Sequence, residues 1–213
     1  MSLPIVAVES RLTVLFDSCP VTAPGDDLSA ELYDICIEET ARSGMEQYEV
    51  SNFAIPGQEC LHNVNYWSLG DYIGIGPGAA SRVSIDSHSI PLQIRAAGMC
   101  TKAPEKWKRQ VLENGFSSDF EMLSPKDSLL ELLLTGIRTR KGISIHTMER
   151  ILGLEMGSKF SFEGGRHPLG SVLNFKALAD FTSSGHLVVN SEFIAATTKG
   201  MMISDQILKE IIL

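Results

Sequence analysis

The sequence has no apolar run long enough to cross a bilayer, although 44% of its 213 residues are hydrophobic. With 21% charged residues, this composition is typical of a globular chain that builds a real core. The N-terminal stretch MSLPIVAVESR has no basic region followed by an apolar one, which predicts no secretory signal peptide. We therefore expect a protein without a membrane span, in the cytoplasm or in an organelle matrix if the source is eukaryotic.

Positive charge is also scarce, because 18 Lys and Arg residues stand against 26 Asp and Glu residues, for a net charge of −8. The acidic residues are spread along the chain rather than gathered in a tail. An acidic surface repels phosphate backbones, so nucleic acid is excluded as the main partner.

The cysteines lack the close spacing of a metal site. The chain has Cys19, Cys36, Cys60 and Cys100, and no two of them are near each other in sequence. Two disulfides are possible by count, but the absence of a secretory signal favours reduced thiols. The four cysteines alone predict neither a metal ion nor an iron–sulfur cluster.

The predicted elements change character near residue 104. Strands are predicted at 11–16, 47–53 and 71–75, with a helix after the first, and this order predicts parallel strand pairing. From Pro104 onward the pattern is mostly helical. The sequence therefore predicts an α/β region over residues 1–103 and a separate C-terminal domain over residues 104–213.

The C-terminal region combines helices with one predicted hairpin. Its helices are predicted at 104–114, after Ser124, at 144–152, at 174–183 and at 203–212, and its hairpin turns at Asn190–Ser191. Helices, a two-stranded wing and a closing helix resemble a winged-helix-like module. The helix at 174–183 contains only Lys176 as a cation, which favours protein docking over DNA binding for such a module.

Three glycines at alternate positions follow the strand predicted at 71–75. In DYIGIGPGAASR they are Gly74, Gly76 and Gly78. Such glycines allow a close approach of the backbone to a ligand, or a sharp turn. Pro77 removes one amide donor and no clear helix follows, so the spacing alone slightly favours a turn without a ligand.

The segment His62-Asn63-Val64-Asn65-Tyr66-Trp67 places an imidazole beside two aromatic rings. An axial nitrogen with broad apolar walls suits a flat macrocycle. The alternative interpretation is a hydrogen-bonding loop histidine with Tyr66 and Trp67 in the core.

Three other sets of charged residues have two interpretations each. Glu49, in a predicted strand, faces either a barrel or cleft or a solvated edge, and Asp71 is ambiguous in the same way. Arg138, Arg140 and Lys141 follow an apolar helix. They are typical of a solvated helix end, and less strongly they indicate a seat for a porphyrin carboxylate or a phosphate.

Two segments together resemble a known family. QYEVSNFAIPGQECLHNVNYW and GDYIGIGPGAASR closely resemble the radical S-adenosylmethionine proteins related to oxygen-independent coproporphyrinogen III oxidase. The pattern HNxxYW at 62–67 resembles the haem-chaperone branch, HemW, and is absent from the oxidase branch. The resemblance implies the last units of a partial (β/α) barrel followed by the C-terminal domain of that family.

The resemblance also implies site residues and ligands. It assigns haem binding to His62, Asn63, Tyr66 and Trp67, with His62 as the ligand of the haem iron. It places the loop of Gly74, Gly76, Gly78, Ala79 and Ala80 beside S-adenosylmethionine and the substrate. The implied partners are haem or another porphyrin and a haem-acceptor protein.

The family anchors a four-iron, four-sulfur cluster through a CxxxCxxC motif, which this sequence lacks. We therefore expect no cluster in this chain and no radical chemistry, as for a fragment or a short isoform. A barrel strand without its neighbour exposes unpaired backbone groups, which predicts self-association through that edge. Two alternatives stay open: the C-terminal part of a true coproporphyrinogen III oxidase, and a winged-helix-like interaction module.

Overall fold

The structure, a computed structural model, describes residues 24–86, 93–154 and 167–213. These residues divide into two compact units, with the division between residues 45 and 46. The strand predicted at 11–16 lies outside the described residues. The assignment of residues 1–103 and 104–213 to different domains stays a prediction.

The first unit contributes one described helix, α1 (Asp26–Arg42). It has two acidic residues in its first turn, where they complement the helix dipole, although Gly25 rather than an aspartate occupies the N-cap. The helix ends before Gly44, whose φ is 75°. The sequence pattern predicts a buried stripe on α1, and this is wrong, because Leu28, Leu32 and Ile35 are 50%, 51% and 47% exposed.

The second unit begins with a hairpin where the sequence pattern predicts one continuous strand. Strand β1 (Glu46–Glu49) pairs antiparallel with β2 (Asn52–Ala54). The Glu49 carboxylate accepts hydrogen bonds from the Ser51 amide and the Asn52 side chain, and these local bonds hold the turn. All strand pairs in the described part of the chain are antiparallel, whereas the parallel pairing predicted with the strand at 11–16 involves residues outside it.

A short helix, α2, leads from the hairpin to a three-stranded antiparallel sheet. Its elements are α2 (Leu61–Trp67), β3 (Ala80–Asp86), β4 (Gln93–Cys100), α3 (Pro104–Asn114) and β5 (Ser118–Met122), with strand order β3-β4-β5. The strand predicted at 71–75 is wrong, since only Tyr72 forms a single bridge, to Arg82. The glycines from Gly74 onward disfavour extended pairing there.

The remaining elements are mainly helical. They are α4 (Pro125–Gly136), β6 (Ile143–Ser144), α5 (Ile145–Leu152), a 3-10 turn (Pro168–Ser171), α6 (Phe175–Ser183), β7 (Leu187–Val189), β8 (Phe193–Ala196), α7 (Thr198–Met202) and α8 (Ser204–Ile211). The predicted N-cap at Ser124 is confirmed, because its hydroxyl accepts from the Asp127 amide at 3.1 Å. The helix predicted at 203–212 is confirmed as α8, and a short helix that was not predicted, α7, precedes it.

The hydrophobic core of the second unit lies among these C-terminal elements. Its fully buried members include Leu133 of α4, Met148 of α5, Leu178 of α6, Ile194 of β8 and Ile207 of α8. Leu69, in the loop after α2, is also part of this core and ties that loop to it. The described residues form a mixed α/β fold without a closed barrel. Among them, no helix combines the length and the apolar character required to cross a membrane.

Candidate functional site

Helix α2 carries the HNxxYW segment and presents it on two faces. His62 and Tyr66 are four residues apart and share one face, whereas Asn63 and Trp67 share another. The His62 ring meets Tyr66 edge-on, with 4.3 Å between centroids. Tyr66 meets Tyr72 in the same way at 4.4 Å. The three rings form what we call the ring ladder, and Tyr72 is a member that the sequence motif does not include.

The outer end of the ring ladder is open to solvent. His62 is exposed, and within the described residues its ring nitrogens have no hydrogen-bond partner. At the other end of the ladder, Ile73 and Ile75 follow Tyr72 in the chain and are 74% and 88% exposed. The imidazole is therefore available to a ligand and is not locked into the interior.

The inner end of the ring ladder opens into a cavity of about 560 Å³, here named the glycine-loop cavity. It is lined by Tyr66, Leu69, Tyr72, Gly74, Ile75, Ala79, Ala80, Arg82, Arg95, Glu131 and Thr135. Of the five predicted loop residues, Gly74, Ala79 and Ala80 line it directly. The structure thus brings part of the HNxxYW segment and part of the glycine loop to one cavity.

The glycine loop folds back on itself at the cavity wall. A Cβ on Gly74 would overlap the Ala80 carbonyl oxygen and would lie 2.9 Å from the Ala79 Cβ, so no other residue fits. Gly76 and Gly78 have φ values of 119° and 73° and provide the turn, without lining the cavity. The Cys100 amide donates to the Ala79 carbonyl at 2.8 Å and fastens the loop to the sheet.

Arg95, from β4, is a buried cation in the wall of the glycine-loop cavity and is only 1% exposed. Its Nη1 donates to the Leu69 carbonyl and, at 3.2 Å, to the Ser84 hydroxyl. Within the described residues, its buried Nε has no hydrogen-bond partner. Burial lowers the pKa of Arg95 from its usual value, and Asp71, 3.6 Å away, offsets this only in part. Sequence reasoning missed Arg95 because no motif surrounds it.

The second arginine of this cavity, Arg82, is fully engaged. Its Nε and Nη2 donate to Glu131 Oε1 at 2.9 and 2.6 Å. This bond raises the pKa of Arg82. Arg95 is thus the arginine of this cavity whose Nε has no hydrogen-bond partner within the described residues, whereas Arg82 is paired with Glu131.

The opposite face of α2 packs against the β1–β2 hairpin. The Tyr48 and Trp67 rings are 5.8 Å apart, and the Tyr48 hydroxyl accepts from the Cys60 amide at 3.3 Å. These residues border a second cavity of about 430 Å³, the hairpin cavity. It is lined by Glu46, Gln47, Tyr48, Pro56, Glu59, Leu61, Val64, Trp67, Ser68, Thr139, Arg140 and Lys141. Trp67 thus lies apart from the ring ladder.

The asparagines of the segment hold the neighbouring loops. Asn63 Nδ2 donates to Asn52 Oδ1 at 3.5 Å. Asn65 Nδ2 donates to the Asp71 carbonyl at 3.0 Å, and the Gly70 amide donates to the Asn65 carbonyl at 2.7 Å. A Cβ on Gly70 would lie 2.5 Å from Asn65 Cγ. The bond to Asn52 thus places Asn63 against the hairpin, whereas Asn65 holds the loop after α2.

Glu49 and Asp71 have roles that the sequence did not indicate. Glu49 is 3% exposed and accepts from Arg138 Nε at 3.0 Å, in addition to its bonds within the turn. The interpretation of Glu49 as a carboxylate on a solvated edge is therefore wrong. Asp71 accepts from the Ser84 amide at 2.8 Å beside Arg95.

The basic cluster at 138–141 is anchored to the hairpin by its arginines. Arg138 pairs with Glu49, and Arg140 pairs with Glu46 at 2.8 Å. Lys141 is exposed and lines the hairpin cavity. Within the described residues, no group of three His, Cys, Asp or Glu side chains is arranged to hold a metal ion.

The chain is similar in sequence to several known proteins. The chain is 29% identical, over 95% of its length, to the mitochondrial radical S-adenosyl methionine domain-containing protein 1 of Dictyostelium discoideum, and covers 46% of that protein. It is 44% identical, over 36% of its length, to the haem chaperone HemW of Escherichia coli, and covers 20% of it. The chain is a homologue of the C-terminal region of these radical S-adenosylmethionine, HemW-type proteins. No family model matches the sequence.

A solved structure has a similar fold. Coproporphyrinogen III oxidase (HemN) from Escherichia coli, a radical S-adenosylmethionine enzyme, superposes with a TM-score of 0.56 over 87% of this chain at 17% sequence identity. The chain covers 41% of that structure, and it spans less than half the length of the two relatives named above. The resemblance inferred from the HNxxYW and glycine-loop segments is thereby confirmed at the level of the family.

Proposed function

We propose that this chain binds haem as the C-terminal part of a haem chaperone of the radical S-adenosylmethionine, HemW type. The observation that carries the proposal is the exposed His62 ring, which has no partner within the described residues and stands at the end of an aromatic ladder. A neutral imidazole nitrogen is a strong axial ligand for haem iron. His62 would hold the iron, and Tyr66 with Tyr72 would contact the porphyrin.

The surroundings of His62 fit a porphyrin. Next to Tyr72 in the chain, Ile73 and Ile75 expose more than two thirds of their surface, and a porphyrin that extends from His62 along the rings would cover such surface. The face of α2 that carries Trp67 and Asn63 would act differently, by fixing the helix to the hairpin. We therefore divide the four motif residues into two that contact haem and two that position the helix.

In a complete protein of this family, the glycine loop would border S-adenosylmethionine, and we propose that Gly74, Ala79 and Ala80 form that border because they line the cavity. The iron–sulfur cluster would be held by residues other than those described here. The radical chemistry of a complete protein would then take place beside this wall.

The proposal also covers an acceptor-binding surface, self-association and an alternative parent protein. The hairpin and helices of the C-terminal region would form a winged-helix-like surface for a haem-acceptor protein, and the barrel units would precede it. The chain would self-associate through an exposed edge strand of the barrel units, because a strand without its neighbour has unpaired backbone groups. The alternative parent, a true coproporphyrinogen III oxidase, is supported by the fold likeness, whereas HNxxYW favours the chaperone.

A haem titration followed by absorbance tests this proposal. We expect the wild-type chain to shift the Soret band of ferric haem, and His62→Ala to weaken binding at least about tenfold, since the axial bond supplies most of the iron affinity. His146→Ala is the matched control, because His146 is another exposed histidine of the same unit. Equal spectra and affinities for wild type and His62→Ala would remove His62 from the site.

A further inference from the structure

We propose that Arg95 recognises a carboxylate of the porphyrin, so that haem is distinguished by its propionates as well as by its iron. This inference rests on the proposed haem function and assigns a second contact in the same site. Haem carries two carboxylates at one edge of an otherwise apolar disc. A cation within reach of that edge would set the orientation of the disc.

The geometry links His62 to Arg95 through the ring ladder. Tyr66 contacts His62 at the solvent side and lines the glycine-loop cavity at its other side. Tyr72 and Arg95 line the same cavity. A porphyrin bound at His62 and lying along these rings would direct one edge into the cavity.

The electrostatics of Arg95 favour an anionic ligand. A guanidinium has five donors in a planar fork that matches a carboxylate. Arg95 is 1% exposed, and its Nε has no partner within the described residues. The nearest carboxylate oxygen, from the half-exposed Asp71, is 3.6 Å away, which is too far for a hydrogen bond. A buried cation that is neutralised only in part gains from a second carboxylate.

The hairpin cavity is the competing seat for the carboxylates, and its charges fit less well. Arg140 is 57% exposed on its side chain and already pairs with Glu46. Glu46 and Glu59 line the same cavity as Arg140 and Lys141, so anions there meet repulsion as well as attraction. Exposed cations are also screened by solvent.

The test compares ferric haem with its dimethyl ester, which keeps the iron and the disc but lacks both charges. Both ligands are titrated against the full chain in the same low concentration of neutral detergent. We expect the wild type to bind haem at least about tenfold more tightly than the ester, which corresponds to about 1.4 kcal/mol. We expect Arg95→Gln to reduce this preference to less than about twofold, and Lys141→Gln to leave it unchanged.

Three results would overturn the role of Arg95. Equal affinity of the wild type for haem and ester overturns it, as does a preference that survives in Arg95→Gln or disappears in Lys141→Gln. Circular dichroism is measured first, and if Arg95→Gln does not fold, Arg95→Lys replaces it. Lysine keeps the charge and lacks the fork, so the preference should fall at least about threefold, and an unchanged preference again overturns the proposal.

The failure of this inference is distinguishable from the failure of the haem function. If both ligands bind equally and both lose their Soret shift in His62→Ala, only the role of Arg95 is wrong. If neither ligand binds in a manner that depends on His62, the proposed function itself is wrong.

Discussion

Replacing Gly142 with alanine is expected to lower the free energy of unfolding of this chain by about 3 kcal/mol. Gly142 has a φ of 71°, which alanine rarely adopts. Its Cβ would overlap the backbone oxygen of Ile194 and would lie 2.6 Å from the Ala195 Cβ. These neighbours belong to β8, in the middle of the sheet β6-β8-β7, and cannot move without disturbing the core.

The control for this substitution is Gly185→Ala. Gly185 has a similar φ of 75°, but a Cβ there would meet nothing within 4 Å. It should lose only about 1 kcal/mol, from backbone strain alone. Urea unfolding followed by circular dichroism measures both variants, and a difference of less than about 1 kcal/mol between them would show that β8 yields to the added methyl.

Replacing Glu49 with alanine is expected to lower the free energy of unfolding by about 2 to 4 kcal/mol. The carboxylate is buried and accepts from Ser51, Asn52 and Arg138, at 2.8, 2.7 and 3.0 Å. Removing it leaves these donors without an acceptor at the turn of the hairpin. The value lies below that of a fully buried ion pair because the Arg138 side chain is 35% exposed.

Glu46→Ala provides the comparison, because Glu46 lies on the same strand and pairs with Arg140 of the same segment at 2.8 Å. Both side chains of that pair are more than half exposed, so the loss should stay below about 1 kcal/mol. The two ion pairs have similar N–O distances, 3.0 and 2.8 Å, and differ in burial. Chemical denaturation of both variants in parallel therefore measures how much burial adds to the free energy of unfolding. Equal losses would mean that the burial of Glu49 contributes nothing.

The sequence predicts those elements best whose signals are local. Helix α4 begins after Ser124 because serine, proline and aspartate satisfy the first-turn amides without help from the rest of the chain. The segment at 47–53 has strand-forming residues throughout, yet the Glu49 carboxylate bends it into a hairpin. The same carboxylate also accepts from Arg138, 89 positions later, and no local pattern can indicate that contact.

In the candidate site, too, local sequence signals predict some residues, and contacts between distant parts of the chain bring in the others. The HNxxYW and glycine-loop segments lead to the family, and helical spacing places His62 with Tyr66. Arg95 and Glu131 lie outside both segments: Arg95 reaches the cavity through the pairing of β3 with β4, and Glu131 reaches it from α4, where it pairs with Arg82. Residues brought together only by tertiary packing are therefore the part that sequence reasoning missed.

The contact between Asn65 and Gly70 limits how this segment can evolve. Because the asparagine side chain occupies the space of a Cβ at position 70, any larger residue there requires a different side chain at position 65. The two positions are expected to covary among homologues, and a single-residue insertion between them would uncouple the histidine-bearing helix from the glycines that follow.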